Sequence, residues 1–222
     1  MIIGVAGPSF CGSTLTNCIL GELPGVTGLG ETHWILDRAR DKPKRGKCFR
    51  HLDECPVFTP EVLSKLRAGG ANNLYANLKR IVSPNVLVVS DKNTFQWGRF
   101  GCPDVLVFPI KPPATMLYSY VRRGKNLNNV VEQLASEWEK LLVLGEGRLM
   151  VPFDLTALAA DPEHTVRELC ARLGLEYSEE ALRPWDSTSC FFGGTGRWPK
   201  FGREFRSTGL AWDAVFAKLK AL

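Results

Sequence analysis

The stretch Gly4-Val5-Ala6-Gly7-Pro8-Ser9-Phe10-Cys11-Gly12-Ser13-Thr14-Leu15, entered from the apolar Met1-Ile2-Ile3, decides the fold. It reads as a short buried strand, a tight glycine loop and the first turn of a helix. Gly7 and Gly12 allow backbone conformations that a Cβ would block. The N–H groups that open a helix have no intrahelical partner, and the helix dipole favours negative charge beside them. The segment is therefore a candidate phosphate cradle, with an ordinary strand-to-helix turn as the alternative. The spacing Gly7-x4-Gly12-Ser13-Thr14 is that of a Walker A loop, except that Ser13 stands where the lysine belongs. A kinase or ATPase needs that lysine on the β- and γ-phosphates, with magnesium beside it. A loop holding one terminal phosphate manages with N–H and hydroxyl donors.

Working outward, apolar runs at Val86-Leu87-Val88-Val89, Val105-Leu106-Val107-Phe108 and Leu149-Met150-Val151 read as further buried strands, each followed by polar or glycine-rich residues and then helical periodicity. Helices are predicted at 115–123, 129–144 and 162–173, the last closed by Gly174. The pattern is that of an α/β protein, a P-loop-type three-layer sandwich with a central parallel sheet flanked by helices. Residues 38–60 and 187–207 lack periodicity and read as loops over a ligand site. No compositional boundary divides the chain, so a single domain over residues 1–222 is expected.

The 222 residues, 45% hydrophobic and 23% charged, suit a globular domain with a sizeable core, and the net charge of +5 points to a small anionic ligand rather than a polyanion. The basic stretch Arg38, Arg40, Lys42, Lys44, Arg45 and Lys47 reads as solvated charge, with an acidic acceptor or nucleic acid as the alternative. No apolar run reaches the roughly 18 residues of a membrane span. The first strand begins at the initial methionine with no basic leader. A cytoplasmic setting with no membrane or nucleic-acid partner is expected. The seven cysteines, an odd number, argue against a full disulfide framework. Cys48, His51 and Cys55 have metal-ligand spacing, but a structural zinc needs a fourth ligand and none stands close in sequence. A packed thiol pair or a conditional disulfide is the alternative. Cys11 reads as a small buried filler rather than a nucleophile.

After the loop come Thr16-Asn17-Cys18-Ile19-Leu20-Gly21, Leu23-Pro24-Gly25-Val26 and Gly30-Glu31-Thr32-His33-Trp34. Together with the loop, these resemble the sulfotransferases that use 3′-phosphoadenosine 5′-phosphosulfate (PAPS), in which a loop ending Gly-Ser/Thr-Thr precedes a helix, a Pro-Gly-Val turn and a Gly-Glu pair. The likeness continues in order along the chain. Asp91-Lys92 follows an apolar run. Lys111-Pro112-Pro113-Ala114 through Tyr118-Ser119 looks like the family's Arg-Asp-Pro-Arg…Ser segment. Val151-Pro152-Phe153-Asp154-Leu155 with Asp161-Pro162-Glu163 looks like its Tyr-Glu-Asp-Leu…Asp-Pro-Glu segment.

The resemblance implies sulfuryl transfer from PAPS to a hydroxyl or amine of a small-molecule or glycan acceptor, with no metal required. It implies that Phe10, Cys11, Gly12, Ser13, Thr14 and Leu15 cradle the 5′-phosphate and that Lys111 and Ser119 recognise the 3′-phosphate. Gly194, Thr195, Gly196 and Arg197 would form the late loop that closes over the nucleotide. Glu31-Thr32-His33-Trp34 looks like the Glu-x-His-Phe segment of glycosaminoglycan-type members, in which the glutamate is the base; His33 would orient the acceptor or the carboxylate. A capping glutamate and a packed histidine are the structural alternatives. Lys92 is expected beside the bridging oxygen, where charge grows in the transition state, with a salt bridge to Asp91 as its alternative. The chain departs from the pattern at Lys111-Pro112, where the family has Arg-Asp, and at Phe10, where it has a basic residue; Arg197 and Lys200 are candidates to compensate. Trp34, Trp97 and Trp198 are candidates to line an acceptor pocket, with core packing as the default. Other readings are a kinase-like phosphotransferase, against which the missing Walker lysine argues, and a nucleotide-binding module without catalysis.

Overall fold

Alternation within each apolar run places one set of side chains on either face of a single sheet. The computed structural model describes residues 1–36, 48, 51, 54–91, 94–121, 123–186 and 190–192. Strands β1 (Ile2–Val5), β2 (Val26–Gly30), β3 (Val86–Val89), β4 (Val105–Ile110) and β5 (Leu149–Asp154) form a five-stranded sheet in the order β2-β3-β1-β4-β5. Every pairing is parallel, so each connection is a crossover. The helices are α1 (Ser13–Gly21), α2 (Pro60–Ala68), α3 (Leu74–Val82), α4 (Thr94–Phe100), α5 (Pro113–Val121), α6 (Leu127–Gly145), α7 (Leu155–Ala160) and α8 (Pro162–Leu173). None of them is long and apolar enough to cross a membrane.

The period of two along the strands explains the layers. Ile3, Val5, Val86, Val88, Val105 and Val107 pack with Ile19 and Leu20 of α1 and Val166, Leu169 and Leu173 of α8. Their neighbours Leu87 and Val89 pack on the opposite face with Leu63 and Leu66 of α2 and Leu74, Tyr75 and Leu78 of α3. Leu106 and Phe108 meet Trp97 and Leu141 on that same side. Burial on both faces is why β1, β3 and β4 read as continuous apolar runs, whereas the edge strand β5 alternates.

The predicted helix at 162–173 is α8, capped by Asp161 accepting from the His164 N–H at 3.1 Å and stopped by Gly174 at φ 64°. The other two predicted helices are α5 and α6, with ends shifted by one or two residues. Residue 60, placed at the end of a loop, opens α2. There Thr59 caps Val62 and Pro60 occupies the first turn, where its missing N–H costs nothing.

Candidate functional site

Each strand delivers its following residues to the carboxyl edge of the sheet, where ligands of open parallel sheets bind. The connection from β1 leaves toward β2 and that from β4 leaves toward β5, in opposite directions, so the switch point lies between β1 and β4. The glycine loop leaves β1 on one side of that point and Lys111 follows β4 on the other.

The loop turns tightly, with the Cys11 N–H donating to the Pro8 carbonyl at 3.1 Å, and α1 begins at Ser13. Gly12 has φ 104°, and a Cβ there would lie 2.2 Å from Leu155 Cδ1. Among the described residues no side chain caps α1, so its opening N–H groups are available to a ligand. Ser13 is buried, Thr14 and Leu15 are half-buried, and Cys11 is fully buried, in accord with a filler. Phe10 adopts φ 69°, a left-handed conformation uncommon for a bulky residue. Its ring meets Tyr120 edge-on at 4.8 Å, and the Arg123 guanidinium lies 4.4 Å from the ring centroid. The guanidinium of Arg123, two residues beyond the end of α5, thus lies over position 10, a proximity that sequence order alone does not reveal.

Lys111 is half-buried, and burial pushes its ammonium pKa below the ordinary lysine value, with the charge of Cys11 acting in the opposite sense. Ser119, in the last turn of α5, donates its hydroxyl to the Thr115 carbonyl at 2.9 Å.

At the ends of β2 and β3 a polar cluster forms around Asp91. Its side chain is fully buried and accepts from the Thr32 hydroxyl at 2.5 Å, the His33 N–H at 2.9 Å and the Tyr75 hydroxyl at 2.9 Å. The His33 Nδ1 lies 2.7 Å from the same carboxylate, while the imidazole keeps 22% of its surface exposed. A buried carboxylate fixes the tautomer with hydrogen on Nδ1, which makes Nε2 the basic nitrogen. Burial and the Asp91 charge together push the Tyr75 phenol pKa strongly upward, so it remains a donor. The described contacts of the Asp91 carboxylate are with Thr32, His33 and Tyr75; the salt bridge weighed as the alternative role of Lys92 involves a residue outside the described ones.

Glu31 is buried, accepts from the Trp34 indole N–H at 2.8 Å, and donates its own N–H to the Phe192 carbonyl at 2.8 Å. The Trp34 ring lies 4.7 Å from that of His33. Asn17 of α1 accepts the Gly30 N–H at 3.1 Å, tying the phosphate-loop helix to the strand that presents Glu31. Trp97 is a core residue, wholly buried with its indole N–H on the Asp91 carbonyl at 2.5 Å, and so is not part of an acceptor pocket. Lys92, Gly194, Thr195, Gly196, Arg197, Trp198 and Lys200 lie outside the described residues, as does the basic stretch from Arg38 to Lys47.

No protein-family model and no curated protein matches the chain. Among solved structures, it is similar to the sulfotransferase domain from the Synechococcus PCC 7002 olefin synthase, with TM-score 0.67 and 18% identity over 100% of this chain and 94% of that one. It is equally similar to the sulfotransferase domain from the curacin biosynthetic pathway, with TM-score 0.67 and 15% identity over 99% and 97% of the two chains. The sulfotransferase STF1 from Mycobacterium tuberculosis H37Rv gives TM-score 0.50 and 12% identity over 100% and 76%. The chain therefore has a sulfotransferase-like α/β fold.

Proposed function

We propose that this chain, acting as a single domain, transfers a sulfuryl group from PAPS to a hydroxyl or amine of a small-molecule or glycan acceptor. The observation that carries the reading is convergence on one sheet edge. A glycine phosphate loop without the Walker lysine, the half-buried Lys111 and an Asp91–His33 pair follow β1, β4, β3 and β2 of a fold shared with sulfotransferase domains.

The residues present fit such a donor. The close approach of Leu155 to Gly12 leaves no room for a side chain in the cradle, and the start of α1 offers N–H groups and the hydroxyls of Ser13 and Thr14 to a 5′-phosphate. Lys111 and Ser119 are assigned to the 3′-phosphate, with Arg123 supplying the charge that Phe10 lacks. When bound, the donor supplies the sulfuryl group and a phosphate leaving group. Lys92 neutralises the charge that grows on the bridging oxygen.

The acceptor proton has two candidate destinations at the end of β2. Glu31 is the base that the resemblance implies. The hydrogen bonding around Asp91 favours His33, whose ring is held and partly exposed while the Glu31 carboxylate supports Trp34. Glu31→Gln and His33→Gln, compared at equal nucleotide affinity, separate the two. The variant that removes the base loses on the order of 10²–10⁴ in turnover.

The reading is tested by incubating the purified chain with sulfate-labelled PAPS and a metabolite extract and finding the labelled product by mass spectrometry. Transfer from PAPS supports it. Magnesium-dependent transfer from ATP would make the chain a phosphotransferase, and nucleotide binding with no transfer to any acceptor would make it a binding module.

A further inference from the structure

The fourth ligand that the sequence lacks near Cys48, His51 and Cys55 arrives from 135 residues beyond Cys55. In the structure Cys190 joins them, and the four ligand atoms all lie within 4.8 Å of one another. We propose that Cys48, His51, Cys55 and Cys190 form a structural zinc site of the Cys3His type.

The spacings are close to those of ligands around a common centre, the two shortest having to open by a few tenths of an ångström to admit an ion. A tetrahedral zinc with Zn–S near 2.3 Å and Zn–N near 2.0 Å sets its ligand atoms roughly 3.5–3.8 Å apart. Cys55 Sγ and Cys190 Sγ are 3.2 Å apart, Cys48 Sγ and His51 Nδ1 3.3 Å, and Cys190 Sγ and His51 Nδ1 3.7 Å. The arrangement Cys48-x2-His51-x3-Cys55 has the close spacing of a zinc knuckle, and the Phe58 N–H donates to Cys55 Sγ at 3.2 Å, the kind of outer contact that fixes a metal-bound thiolate. All three cysteines are buried in the apolar cluster beneath α2 and α3. A disulfide would join two sulfurs and leave a third thiol and an imidazole gathered around it without a purpose. A zinc ion satisfies all four.

The site has a defined mechanical role. Residues 190–192 lie beside β2, with the Phe192 N–H on the Leu29 carbonyl at 2.7 Å and the Glu31 N–H on the Phe192 carbonyl at 2.8 Å. Anchoring Cys190 to the 48–55 segment therefore braces the backbone that carries Glu31. With all four positions taken by protein ligands, the ion is structural rather than catalytic.

Elemental analysis of the 222-residue chain, expressed with zinc and purified under reducing conditions, is expected to give one zinc per chain. Replacement by cobalt is expected to produce thiolate charge-transfer absorption and the intense visible bands of tetrahedral cobalt. Cys55→Ser and Cys190→Ser should lose the metal, whereas Cys102→Ser and Cys170→Ser should keep it. Chelation should also lower the hydrogen-exchange protection of the Glu31 amide at least tenfold. Because unfolding alone could cost a variant its metal, the wild-type result decides. Zinc well below one equivalent, cobalt spectra without thiolate bands, or a Cys55–Cys190 disulfide in a non-reducing peptide map would each overturn the site. None of these outcomes bears on sulfuryl transfer.

Discussion

Replacing Asp91 tests whether its buried carboxylate both holds the sheet edge together and poises His33. In Asp91→Ala the Thr32 hydroxyl, the Tyr75 hydroxyl and the His33 N–H lose their acceptor inside the protein, together with the contact to the imidazole. Leaving a buried donor unsatisfied costs about 1–3 kcal/mol, so the three donors at the low end of that range, plus the packing lost, give about 3–5 kcal/mol. For a domain of this length each kcal/mol lowers Tm by about 2–4 °C, so a fall of about 6–20 °C is expected. Asp91→Asn is milder. Its amide oxygen still accepts from His33, and the two hydroxyls can turn to accept from the amide nitrogen. What is lost is charge assistance, about 1–2 kcal/mol, or about 2–8 °C. Turnover separates this role from a purely structural one. With no carboxylate to stabilise a protonated His33, Asp91→Asn should lose about 10²-fold or more even where it remains folded. Thermal unfolding by circular dichroism and steady-state sulfate transfer are the assays. An Asp91→Asn chain with unchanged Tm and turnover would refute the reasoning, and equal losses in Asn and Ala would refute the donor count.

Three further outcomes follow. Gly12→Ala combines a left-handed φ of 104° with a Cβ set 2.2 Å from Leu155 Cδ1, and should destabilise by about 1–3 kcal/mol in urea titration. Adding Leu155→Ala should relieve only the contact, not the backbone strain. Burial holds the Lys111 pKa below 10.5, whereas a bound phosphate favours its ammonium form. Between the lowered value and 10.5, nucleotide binding should therefore take up a proton and weaken as pH rises, which calorimetry in buffers of different ionisation enthalpy reads directly. Without ligand the unfolded chain binds the proton more readily, so this lysine's burial cost is present below its folded pKa and fades as pH rises through it. Arg123→Ala should weaken nucleotide affinity about 10–100-fold while leaving Tm within about 2 °C, since a charge-assisted contact is worth about 1.5–3 kcal/mol and a partly exposed guanidinium holds little of the core.

The strands at Ile2–Val5 and Val86–Val89 were legible to the residue because strands buried on both faces are apolar throughout. The loop and α8 were legible because glycine, Asp-Pro and a terminal Gly mark their ends. The signal for α2, Thr59-Pro60-Glu61, was present but stood at the edge of a stretch without periodicity. Other features depend on spatial neighbours that no local pattern encodes. Asp91 follows β3, and its carboxylate reaches Thr32 and His33, 59 and 58 residues earlier, because β2 lies beside β3. Arg123 reaches Phe10 only because α5 packs near the loop, and Cys190 meets Cys55 only because the late segment returns to β2. In each case the residue type was visible and its partner was not.

The central claim rests on the 3′-phosphate, which PAPS and its product carry and the common adenine nucleotides lack. Calorimetric titration of the chain with 3′-phosphoadenosine 5′-phosphate, ADP and AMP tests it most directly. Lys111 and Ser119 should make the first bind tighter by about 2–3 kcal/mol or more, on the order of 30–150-fold in Kd. Equal affinities for the three nucleotides would contradict the assignment.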